Sequence, residues 1–237
     1  MSETISDIDR RDLIRRSFLF EGVSESILER IAAASQVARI EKNKILFQRG
    51  DESDALYIVI DGLVRIWVGS ENGKELTITI LEDGDVFGEI GLLDGLPRSA
   101  SATALEETSL LLVRRATLQC MLEEDRKLSL HIIELLCERL RFNTNALSDF
   151  AFMDLRGRLA RKLMDLALSH GKLTGNRVAF ARKFSQTELA NMLAVSREAI
   201  NKQLAPLMQE NVLEIDKGRL VILDLDRLRA LSGEVTI

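Results

Sequence analysis

The sequence predicts an α+β chain in three parts. An antiparallel β-sandwich or jelly roll comes first, then a long helix that pairs with its own copy, then two short helices closed by a hairpin, the winged helix-turn-helix pattern. Three observations carry this. Glycines recur at Gly50, Gly62, Gly73, Gly84 and Gly95, at intervals of 12, 11, 11 and 11 residues. Residues 126 to 150 contain neither Gly nor Pro. Residues 1–150 hold 18 basic against 27 acidic side chains, whereas residues 151–237 hold 14 against 10, a net +4. Only the second half therefore suits a polyanion.

With 237 residues, 46% of them hydrophobic, the chain can build one large or two modest domains with real cores. No apolar run approaches 18 residues, and the N-terminus MSETISDIDRRDLIRR lacks an apolar core of the kind found in leader peptides. Both features argue against membrane insertion and secretion and imply a cytoplasmic address. Cys120 and Cys137 lie 17 residues apart in helical sequence, too few for a disulfide framework or a metal cluster, and are expected to be ordinary buried thiols.

The elements follow in order. Residues 12–38 carry apolar side chains at helical spacing with a break at Gly22, and predict short helices leading into the sandwich. Between the recurring glycines lie the strand-like runs ALYIVI, LVRIWV and LTITIL, with ASATALEETSLLLV further on. From about Thr117 the period becomes 3.6. Taking Ile133 as the first seam position, a heptad reads Ile133, Leu136, Leu140, Asn143, Leu147 and Phe150, apolar at every a/d position but Asn143. A junction at residues 150–154 (FAFMD) leads to a helix GRLARKLMDLALSH that ends at Gly171, and the chain closes on a hairpin turning at Asp216-Lys217-Gly218. The domain reading is 1–125 as a sensor, 126–150 as the dimerisation helix and 151–237 as the winged helix-turn-helix.

Within the last part, Ser185-Gln186-Thr187-Glu188 forms a capping-box start, and a second helix starts at Ser196. Ala194-Val195-Ser196 has the length of the turn between paired helices. At 100° per residue, Arg197, Glu198, Asn201 and Lys202 share one arc, and Ala199, Gln203, Leu207, Ile200 and Leu204 the opposite one. Arg and Lys pair with guanine O6 and N7, and Glu accepts from cytosine N4, so the polar arc fits a major groove. Pro206 is expected to kink or end this helix near Ala205.

Residues 87–104, FGEIGLLDGLPRSASATA, set glycines around Glu89 and Arg98. One fixed guanidinium with backbone N–H groups in a short turn suits a compact phosphate monoanion, and a nearby carboxylate suits a sugar hydroxyl. The chain resembles the CRP/FNR family over nearly its whole length, through the glycine-punctuated sandwich, the long helix and Val195-Ser196-Arg197-Glu198. FGEIGLL followed by RSA (98–100) is similar to the phosphate cassette of the cyclic-nucleotide-binding members.

The resemblance implies Gly88 and Glu89 at the sugar and Arg98 and Ser99 at the phosphate. It sets Asn143 and Thr144 where the family has a Thr-Ser pair at the base, with Thr79 facing the same pocket. Cyclic AMP is the implied effector, and cyclic GMP an alternative because Asn143 can read either base. By the matched positions, Arg197, Glu198 and Lys202 read bases, with Asn201 on the same arc and Ser196 on phosphate. Lys202 stands where the cyclic-AMP-responsive members have arginine. A palindromic duplex, a second copy of the chain and RNA polymerase are the implied partners, with activation of transcription as the implied role. An iron–sulfur sensor would need more cysteines than two. A haem sensor would need axial ligands, and His131 is the sole histidine of the sensor part. No Ser/His/Asp or Cys/His set and no metal-ligand spacing marks an enzyme, so no catalytic residue and no metal are expected.

Overall fold

The computed structural model describes residues 7–180 and 182–233. Its elements fall into two compact units, Met1–Val68 with Ile78–Arg141, and Gly69–Thr77 with Phe142–Ile237. No helix of the described residues is long and apolar enough to cross a membrane.

Two four-stranded sheets lie in the first unit, apart from Gly69 and Glu75–Thr77, which fall in the second. One runs Gln36–Ile40 (β1), Thr108–Arg114 (β8), Ala55–Asp61 (β3), Val86–Phe87 (β6). The other runs Ile45–Phe47 (β2), Ser101–Ala104 (β7), Val64–Gly69 (β4), Glu75–Leu81 (β5). The runs ALYIVI and LLLV are apolar at successive positions because both faces of their strands are covered. Tyr57, Val59 and Leu110 turn toward the other sheet and join Val64, Phe87 and Ala102. Leu56, Ile58, Leu111 and Val113 turn the other way, onto the helices Asp7–Arg16 (α1), Glu25–Ala34 (α2), Arg115–Glu124 (α4) and the first turns of Arg126–Phe152 (α5). The five recurring glycines all sit at positive φ, so the regular spacing marked turns.

Several expectations need correction. Residues 36–38 form strand, because Gln36, Val37 and Ala38 pair with Leu112, Leu111 and Leu110, and ladder formation overrides a helical pattern that ends at Ser35. Both cysteines are exposed. α4 buries Leu118 and Met121, which leaves Cys120 on the outside beside Arg30 and Glu124. α5 buries only Leu128 and Ile132, and Cys137 lies off that face. The long helix continues to Phe152, which reduces the junction to Met153 and Asp154, and Asp154 caps Leu155–His170 (α6) by accepting from the Gly157 N–H at 2.8 Å. Leu136 packs partly onto the core of its own chain. The other seam side chains, Ile133, Leu140, Leu147 and Phe150, are exposed.

In the second unit a sheet runs Leu213–Asp216 (β11), Arg219–Ile222 (β12), Arg177–Phe180 (β10), Gly171–Thr174 (β9). The hairpin of β9 and β10 was not read from the sequence, although Thr174-Gly175-Asn176 carried its turn signal. Lys217 and Gly218 have φ of 49° and 77°, which makes the two-residue turn of the β11–β12 hairpin match the twist of its strands.

Candidate functional site

The cassette is built around Glu89–Asp94 (α3), a short helix that follows β6. Gly88 precedes it at φ 80°, a turn that favours glycine, and a Cβ there would stand 2.6 Å from Arg98 Nη1 and displace the guanidinium. Arg115 closes the other end, donating from Nε to Leu92 O at 3.0 Å and from Nη2 to Gly91 O at 2.6 Å.

Arg98 is buried to 4% exposure. Its Nη1 donates to Gly88 O and its Nη2 to Ala55 O, each at 2.8 Å. Its Nε–H has no hydrogen-bond partner among the described residues. Burial pulls its pKa below the ordinary arginine value, partly opposed by Tyr57 and Asp54. Glu89 is 1% exposed. Its Oε1 accepts from Arg139 Nη1 on α5 at 2.6 Å, while Oε2 is buried without a partner among the described residues. Burial pushes its pKa up, with Arg139 pulling the other way. A buried unpaired carboxylate oxygen is an acceptor whose desolvation is uncompensated, close in sequence to a buried cation with an unused donor.

The structure thus brings Gly88, Glu89 and Arg98 together. Ser99 follows them and is exposed. Thr79 is half-buried on β5 in the same unit. Asn143 and Thr144 are exposed on α5 in the stretch that belongs to the second unit. Arg139 was missed in the sequence. Its position on a helix gave no signal, because only the fold sets it against Glu89, 50 residues away.

The second candidate surface lies on Arg197–Gln209 (α8), preceded by Gln186–Leu193 (α7). Ser185 Oγ accepts from the Glu188 N–H at 3.1 Å, and Glu188 Oε2 accepts from the Ser185 N–H at 2.8 Å, a complete capping box that Arg182 braces through Glu188. Ser196 caps α8 by accepting from Ala199 N–H at 3.2 Å. Arg197, Glu198, Asn201 and Lys202 are exposed, and Ile200, Leu204 and Leu207 are buried. Arg197 Nε donates to Gln186 Oε1 at 3.2 Å, which occupies one of its five N–H donors. Pro206 does not end the helix, which continues to Gln209. Leu204 and Leu207 anchor both flanks of the proline in the core, and this packing offsets the one lost hydrogen bond. Arg156 of α6 holds the far end through both oxygens of Glu210, at 2.7 and 2.8 Å.

Both parts of the chain resemble known families. The cyclic nucleotide-binding domain family matches residues 37–125, and the Crp-like helix-turn-helix domain family matches residues 157–231. The CRP-like cAMP-activated global transcriptional regulator of Mycobacterium tuberculosis is 30% identical over 217 residues, covering 92% of this chain and 97% of that protein. The anaerobic regulatory protein of Bacillus subtilis is 27% identical over 209 residues, 87% of this chain and 88% of that one. A solved structure of a CooA variant from Carboxydothermus hydrogenoformans superposes with a TM-score of 0.74 at 25% identity, covering 94% of this chain and 99% of that one. A sandwich with a Gly-Glu-Arg cassette, a long helix and a capped helix-turn-helix with its wing therefore have one common explanation: the chain belongs to the CRP/FNR family of transcription regulators.

Proposed function

We propose that the chain is a homodimeric, cyclic-nucleotide-responsive activator of transcription, with cyclic AMP as its effector. Residues 1–125 act as sensor, 126–150 as dimerisation helix and 151–237 as DNA-binding part. The observation that carries this reading is the cassette's paired deficit among the described residues: Glu89 Oε2 buried without a donor and Arg98 Nε–H buried without an acceptor. A ribose hydroxyl donates to the first, and a cyclic phosphate accepts from the second. Ser99 adds a donor at the phosphate. Asn143 and Thr144, four and five residues beyond Arg139, read the base with help from Thr79, and cyclic GMP is the competing ligand.

The exposed seam of Ile133, Leu140, Leu147 and Phe150 is covered by a second copy, with Asn143 setting register. The two recognition helices then meet half-sites one turn of duplex apart, with Arg197, Glu198, Asn201 and Lys202 at base edges, Ser196 on phosphate and RNA polymerase recruited beside them. To move the dimer from 1:99 to 99:1 competent, the nucleotide must favour that state by about 5.5 kcal/mol.

Titration calorimetry of the purified protein with cyclic AMP and cyclic GMP, followed by anisotropy on a palindromic duplex, tests this. One site per chain and nucleotide-dependent DNA binding are expected. A second reading rests on the existing bonds of Arg98 to Gly88 O and Ala55 O, which stabilise the cassette with no ligand at all. On that reading the regulator answers to another effector, and an absence of heat with both nucleotides supports it.

A further inference from the structure

The short strand β2 contains an irregularity that concerns the cassette. Ile45 pairs with Thr103 and Phe47 with Ala102, so two steps along β2 match one along β7. In a regular strand residues 45 and 47 would share a face. The extra residue changes this, leaving Ile45 48% exposed while Phe47 packs against the core between the sheets. Turned inward, the Phe47 ring lies with its centroid 4.2 Å from the guanidinium carbon of Arg98. Tyr57 lies 5.5 Å from the same carbon. The two rings stack at 5.8 Å, and Phe87 stacks on Tyr57 at 5.1 Å, so three strands supply one aromatic platform.

Arg98 is thereby restrained in its plane by the carbonyls of Gly88 and Ala55 and across its face by Phe47. Of the five guanidinium N–H donors, two are taken by those carbonyls, and the remainder keep a fixed direction. A free arginine carries about 2 kcal/mol of rotamer entropy that an anion must otherwise overcome.

Resting on the cyclic-nucleotide reading above, we propose that Phe47 is a positioning residue of the phosphate site, which holds the Arg98 guanidinium flat and pre-directed before the anion arrives. The bulge in β2 is the backbone device that aims it. Phe47 acts through the face of its ring, and a side chain of similar bulk without a π face does not replace it. The ligand class is a compact phosphate monoanion or diester.

The test is calorimetry with cyclic AMP on the full chain, comparing wild type with Phe47→Leu, Phe47→Met and Phe47→Tyr, each melted without nucleotide. Phe47→Leu and Phe47→Met are expected to bind cyclic AMP about tenfold more weakly, and Phe47→Tyr within about twofold of wild type. Wild-type affinity in Leu or Met variants that melt cooperatively overturns the proposal, as does a Tyr variant as weak as Leu. If Leu does not fold, Met and Tyr decide by the same contrast. Wild-type protein that binds no cyclic nucleotide brings down the functional reading itself, and the positioning role with it.

Discussion

Arg139 Nη1 lies 2.6 Å from Glu89 Oε1, and Arg139 Nη2 lies 2.6 Å from Val86 O, so one side chain on the long helix is bonded both to the cassette carboxylate and to the strand that leads into it. The pair is asymmetric in exposure, with Glu89 at 1% and Arg139 at 35%. Arg139 therefore keeps part of its hydration while offsetting the burial of its partner, and the interaction is screened relative to a fully buried pair.

Arg139→Met leaves the buried Glu89 carboxyl without its guanidinium partner, and a loss of about 1–2 kcal/mol is expected at pH 7. The folded pKa of Glu89 is already raised above 4.5 by burial. Stability linked to its proton is thus fully present below 4.5 and declines as pH rises through the folded value. Without Arg139 that value climbs further and the decline deepens. Urea melts should show the gap between the two proteins smallest below pH 4.5, where only the bond to Val86 O is lost, and widening toward neutrality, and a constant gap at all pH would contradict the assignment.

Arg98→Ala removes the cation of the cassette and also the donors to Gly88 O and Ala55 O. Loss of cyclic AMP heat is expected together with a lowered melting temperature, since two carbonyls lose their donors and the face of Phe47 is uncovered. Unchanged affinity would remove Arg98 from the phosphate site.

Arg197→Ala is expected to weaken binding to the specific duplex by about 1–3 kcal/mol and to affect random DNA less. Anisotropy on both duplexes separates a base contact from a phosphate contact, for which the two losses would be equal.

Ala194 ends α7 in the left-handed region at φ 55°, where a Cβ is strained. Ala194→Gly relieves that strain and adds disorder to the unfolded chain, so a net gain of about 0.5–1 kcal/mol in denaturant stability is expected.

Leu147 is 69% exposed on the long helix. Leu147→Glu, in the proposed seam, should shift sedimentation from dimer to monomer at micromolar concentration. A dimer of undiminished stability would place the self-association elsewhere.

Local rules settled much of this protein in the sequence. Turn glycines at regular spacing, capping residues Ser185 and Ser196, the Lys217-Gly218 turn and the two arcs of α8 act over a few residues, and each was legible from them. Gly88, Glu89 and Arg98 were legible as a group because they lie within eleven consecutive positions. Tertiary structure decided the rest. Gln36 to Ala38 became strand because a partner strand was available, and α8 passed Pro206 because buried leucines flank it. Arg139 reached Glu89 across 50 residues, and the Phe47 ring reached Arg98 across 51 through a single bulge. Such pairings depend on burial and register, which no neighbouring residue encodes. Sequence alone therefore set the architecture and the chemical types at the two candidate sites, and the fold determined which side chains hold them in place.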